Sequence, residues 1–112
     1  MKVIAIDFDG VLCRDAWPEI GEEIPFAVGR VKTLQRKGNR IILWTCRSGK
    51  KLQEAVAWCR ARGLIFDAVN ENLPELIQKY GTDPRKVGAD IYIDDKNMTI
   101  MEALYECFNR YR

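Results

Sequence analysis

The chain has 112 residues, 47% hydrophobic and 30% charged, which fits one domain spanning 1–112 and leaves no room for a second core. A net charge of +2 is too mild to argue for nucleic acid or membrane, and the scattered basic residues Lys50, Lys51, Arg60 and Arg62 read as a solvated helix face. No apolar run approaches the ~20 residues of a membrane span, and no secretory leader is legible, so a cytoplasmic protein without membrane contact is expected.

The four cysteines (Cys13, Cys46, Cys59, Cys107) form no C-x-x-C pair, and there is no histidine. A structural zinc site is therefore not expected, and free thiols of a reducing cytosol are. Without histidine, the Ser-His and Cys-His nucleophile systems are also excluded. Any catalysis must use carboxylates, Lys, Arg, Tyr, Cys or a metal.

In chain order, Val3-Ile4-Ala5-Ile6 is too short for a helix and reads as a strand buried on both faces. Residues 10–25, punctuated by Gly10, Pro18, Gly21 and Pro25, read as an irregular loop. Val28, Val31 and Leu34 mark a helix over about 26–37, ended by Gly38-Asn39. Ile41–Trp44 is a second buried strand. Ser48 is placed to cap a helix running to about Arg62 and stopped by Gly63. Residues 64–69 read as a weaker third strand, Pro74 opens a short helix, and 89–93 form a fourth strand. Met101, Leu104, Tyr105 and Phe108 mark the last helix. Trp44, Trp58, Met98 and Met101 read as core or near-core. Strands alternating with helices predict an α/β fold: a Rossmann-like three-layer sandwich, a parallel sheet with helices on both faces.

In such sheets ligands gather at the carboxyl ends of the strands. Here those ends carry Asp7-Phe8-Asp9-Gly10, Thr45-Cys46-Arg47-Ser48 and Asp94-Asp95-Lys96-Asn97. Carboxylates converging on one edge repel unless a hard cation joins them, and Mg²⁺ suits oxygen donors, waters and phosphate. A metal-bound phosphoryl group is then open to attack by one carboxylate while another handles the proton. Thr45 offers a hydroxyl, the following helix start offers amides, Arg47 reads equally as a phosphate contact or as a solvated arginine at the helix start, and a lysine would complete the neutralisation. Trp17 reads more simply as packing, and Asn70 and Asn72 as turn chemistry, although all three lie within reach of the same edge.

The ordered set resembles the haloacid dehalogenase-like hydrolase superfamily. Val3–Val11 matches its hhhhD-x-D-G-[TV] motif, Ile41–Thr45 its apolar strand ending in Thr or Ser, and Ile91–Asp95 its strand ending in paired acids. Its lone lysine is assigned to Lys86, with Lys79 the alternative. The resemblance implies a phosphomonoester hydrolase in which Asp7 attacks phosphorus and Asp9 is the acid and base. It implies Mg²⁺ bound at Asp7, Asp9 (through its carbonyl), Asp94 and Asp95, and phosphate held by Thr45 and Lys86. It also implies a small capless member, because neither insertion point has spare chain. An open site suits a large substrate, such as a nucleic-acid 3′-phosphate, or one covered by a partner subunit in a homo-oligomer. The alternatives are a non-catalytic domain of the same type, a receiver-like phosphate- and metal-binding domain, and a phosphotransferase. The receiver order is disfavoured because here D-x-D comes first and the acid pair last.

Overall fold

The computed structural model describes residues 1–80, 88–94 and 99–109. Its first strand, β1 (Val3–Ile6), has Ile4, Ala5 and Ile6 fully buried, as an apolar run flanked on both sides requires. The chain then forms β2 (Cys13–Ala16), β3 (Glu19–Glu23), α1 (Ala27–Arg36), β4 (Arg40–Leu43) and α2 (Gly49–Ala61). It continues through β5 (Ala68–Val69), α3 (Pro74–Tyr80), β6 (Ile91–Ile93) and α4 (Ile100–Asn109). Among the described residues the main sheet is parallel with strand order β5-β4-β1-β6.

Alternation along the strands sorts the core into two layers. Ile4, Ile6, Ile41, Leu43, Ile91 and Ile93 pack with the apolar stripes of α1, α2 and α4. Ala5, Ile42 and Ala68 face the other way, toward Leu73 just ahead of α3. Right-handed crossovers explain the division. β1 to β4 to β5 steps along the sheet in one direction, and the return to β6 reverses it, sending α3 to the opposite face. The expected α/β sandwich is the observed fold, and among the described residues no separate cap domain covers it.

Four local expectations need correction. Residues 10–25 are not an irregular loop: β2 and β3 form an antiparallel hairpin, with Ala16 paired to Glu19. The pattern was masked because its outward residues are polar and Pro18 and Gly21 lie within it. The third strand is only two residues long. Trp44 is 40% exposed, leaning on Tyr92 with ring centroids 5.3 Å apart, and Met101 is 54% exposed, so neither is core. Arg62 is not freely solvated, since it pairs with Glu23 at 2.7 Å and lies 3.6 Å above the Trp58 ring.

Candidate functional site

The sheet register sets the site. Ile6 pairs with Leu43 on one side and Ile93 on the other, so three strands end on one row. The ladder extends one step further: Asp7 N–H donates to the Ile93 carbonyl at 2.9 Å, and Trp44 N–H to the Ile6 carbonyl at 2.8 Å. Asp7, Thr45 and Asp94 therefore emerge at one edge. They line a single open cleft of about 410 Å³ together with Asp9, Asp15, Trp17, Cys46 and Arg47.

Immediately after β1 the chain folds back. Phe8 is fully buried, its ring edge-on to Trp58 at 5.3 Å, and its carbonyl accepts from Leu12 N–H at 3.0 Å. Gly10 takes φ 85°, a left-handed conformation that glycine adopts without strain. The middle residue of Asp7-Phe8-Asp9 thus anchors in the core while its neighbours border the cleft. Asp7 Oδ1 accepts from Phe8 N–H at 2.7 Å, which orients the carboxylate.

The loop after β4 is held by side chain–backbone bonds. Asn70, at φ 52°, accepts from Thr45 N–H at 2.8 Å, and its amide donates to the Arg47 carbonyl at 3.4 Å. Thr45 Oγ1 accepts from Arg47 N–H at 3.2 Å, leaving its O–H to donate. Ser48 occupies the cap position of α2 without a side-chain capping bond. Asn72, read as turn chemistry, is buried and accepts from Gly88 N–H at 2.6 Å.

Arg47 departs most from its expected role. It is 2% exposed, and its guanidinium serves protein acceptors. Nε and Nη2 each donate to an Asp9 carboxylate oxygen at 2.8 Å, Nη2 also to the Glu19 carbonyl at 3.0 Å, and Nη1 to the Pro18 carbonyl at 3.5 Å. The group lies between the rings of Phe8 (5.2 Å) and Trp17 (5.0 Å). The hydrogen bonds to Asp9 push its pKa above an already high value, against the opposing effect of burial. An arginine so committed ties the hairpin to the core and holds Asp9, rather than reaching out to phosphate.

Asp7 and Asp94 present hard oxygen donors, and Mg²⁺ is commonly held by one or two carboxylates with water and substrate oxygens, so this donor set fits it. The Asp9 side chain is engaged by Arg47, which leaves its main-chain carbonyl as the contribution it can make to a cation. Among the described residues no three acidic, cysteine or histidine side chains group closely enough to form a ready metal cage. Asp95, Lys86 and Lys96 lie outside the described residues, and so does the side chain of Lys79. Two cleft residues were missed or undervalued from sequence: Asp15, hidden in the supposed loop, and Trp17, read as packing. Neither was signalled by alternation, since Cys13–Ala16 and Glu19–Glu23 are mostly polar and exposed.

Burial raises the pKa of the thiols of Cys13 and Cys59, the latter to about 12, whereas Cys46 is exposed at the cleft. No helix among the described residues is long and apolar enough to cross a membrane.

No protein-family model matches the chain. No curated protein matches it either. The chain is similar to a solved structure of a conserved protein from Bacteroides thetaiotaomicron, with 44% identity and a TM-score of 0.82, over 99% of this chain and 92% of that one.

Proposed function

The chain belongs to the family of that conserved Bacteroides thetaiotaomicron protein, and within it we propose a Mg²⁺-assisted phosphomonoester hydrolase of the haloacid dehalogenase-like type, with Asp7 as nucleophile. The observation that carries this reading is the meeting of Asp7, Thr45 and Asp94, from the ends of three adjacent parallel strands, in one open cleft. Such convergence of two carboxylates and a hydroxyl is poor packing chemistry and good phosphoryl-transfer chemistry.

Asp7 and Asp94, with the Asp9 carbonyl, would hold the cation, and Asp95 would join them. When bound, Mg²⁺ neutralises charge on the phosphoryl oxygens and positions the group. Asp7 contributes the electron pair that forms the new bond to phosphorus as the bond to the ester oxygen breaks, giving an aspartyl-phosphate and releasing the alcohol. Asp9 supplies the proton that the leaving oxygen needs. Water then attacks phosphorus, Asp9 takes its proton, and Asp7 is regenerated with release of inorganic phosphate. Accepting two hydrogen bonds from Arg47 suits the basic half of this cycle. In the acidic half Asp9 carries a proton and gives up one of those bonds. The Thr45 O–H donates to a phosphoryl oxygen, and Lys86 adds positive charge. Free thiols fit a reducing compartment such as the cytosol.

The test is phosphate release from an aryl phosphate, with and without Mg²⁺, followed by sugar phosphates, nucleotides, phosphopeptides and 3′-phosphorylated oligonucleotides. Metal-dependent release supports the reading; none from any class contradicts it.

A further inference from the structure

We propose that the indole of Trp17 is the ring-binding platform of the cleft. The substrate is then a small phosphomonoester whose alcohol part carries a planar aromatic ring, as a nucleoside monophosphate does. This rests on reading the cleft as a phosphomonoesterase site and adds the substrate class.

Three observations carry it. Trp17 is 59% exposed yet lines the same cleft as Asp7, Thr45 and Asp94. The Arg47 guanidinium backs its ring at 5.0 Å, and part of the remaining surface of this large, flat side chain lines the cleft. Aromatic faces of this kind stack on bases and other planar rings.

The platform is also fixed before any ligand arrives. Trp17 and Pro18 form the turn between the paired Ala16 and Glu19, and Trp17 N–H donates to Asp15 Oδ1 at 3.3 Å. Arg47 holds the Pro18 and Glu19 carbonyls with the same guanidinium that holds Asp9, so the turn is tied directly to the catalytic edge. A ring carried on a turn already held in place loses less freedom on binding than one on a free loop.

Finally, size and charge select among ring-bearing esters. The cleft of about 410 Å³ exceeds what a phosphate needs and falls within the small-molecule range of roughly 300–1,000 Å³. Its described lining sets four aspartates, Asp15 included, against Arg47. That balance admits one metal-neutralised phosphate, disfavours further phosphates, and favours a neutral ring bearing N–H or O–H donors. A nucleic-acid strand, with its repeated phosphates, fits this lining less well than a monomer.

The experiment measures binding by calorimetry in Mg²⁺ buffer, using the Asp7→Asn protein so that no turnover intervenes. The probes are adenosine monophosphate, ribose 5-phosphate and inorganic phosphate. Adenosine monophosphate is expected to bind roughly ten-fold tighter than ribose 5-phosphate. Adding Trp17→Ala erases that difference, Trp17→Phe keeps most of it, and inorganic phosphate binding stays unchanged by either. Equal affinities, no binding of the nucleotide, a preference indifferent to Trp17→Ala, or tighter binding of a 3′-phosphorylated oligonucleotide overturns the proposal. Ring preference without phosphate release by the wild-type chain leaves the platform standing and removes the hydrolase reading. Release without ring preference does the reverse.

Discussion

Arg47 holds Asp9 with two arms, Nε on Oδ2 and Nη2 on Oδ1, both at 2.8 Å, with the arginine side chain 1% exposed and the aspartate 19%. Losing one member strands the other, and breaking a buried pair costs about 3–5 kcal/mol. Arg47→Met is therefore expected to lower unfolding stability by about 3 kcal/mol, the lower end because Asp9 keeps some water. Arg47→Lys cannot span both oxygens and should recover only a minor part. Denaturant unfolding checks both; an unchanged midpoint for Arg47→Met would contradict the pairing.

The hairpin makes a contrast between two glycines. A Cβ at Gly21 would run into the Arg14 carbonyl oxygen across the strands, whereas one at Gly29, within α1, meets nothing within 4 Å. Gly21→Ala should cost about 1–3 kcal/mol, because the strands must part. Gly29→Ala should add about 0.5–1 kcal/mol of helix stability. Thermal unfolding of the two variants, measured together, should move in opposite directions.

Alkaline stability follows from Cys59. Burial raises its pKa from 9.0 to about 12 in the folded chain. Between those values the unfolded chain has lost the thiol proton and the folded chain retains it, so the unfolded state binds fewer protons and stability falls as pH rises. The slope is about 1.4 kcal/mol per pH unit for this group, absent below pH ~9. Cys59→Ala should remove that slope at the cost of some packing. Unfolding free energies from pH 8 to 11 measure it.

Thiol reactivity gives a separate check on the cleft. Cys46 is exposed and lines it, while Cys13 and Cys59 are buried. In native protein Cys46 should alkylate well before Cys13 and Cys59, and inorganic phosphate with Mg²⁺ should slow it. Peptide mapping after brief labelling reads the order; equal labelling of Cys59 would contradict the core assignment.

The sheet and the cleft edge were legible because they rest on short continuous apolar runs, and such runs end where the parallel ladder ends. Asp7, Thr45 and Asp94 follow from Ile6, Leu43 and Ile93 standing in one row. The hairpin was not legible because Arg14, Asp15, Glu22 and Glu23 face water on both sides of a sheet too small to hide them. Arg47 was misjudged for a related reason. Beside a phosphate motif an arginine suggests an anion, and only the folded chain brings Asp9 from the turn after β1 and two carbonyls from the hairpin to it as partners. Trp17 followed Arg47, since its place in the cleft depends on that same tie.

The central claim is that Asp7 performs the attack on phosphorus, and the most direct measurement is Mg²⁺-dependent phosphate release from an aryl phosphate by wild type and Asp7→Asn side by side. Both proteins should unfold at similar temperatures, with the variant's rate reduced at least about a thousand-fold, as expected when a nucleophile is removed. A folded Asp7→Asn protein releasing phosphate at the wild-type rate would contradict the account.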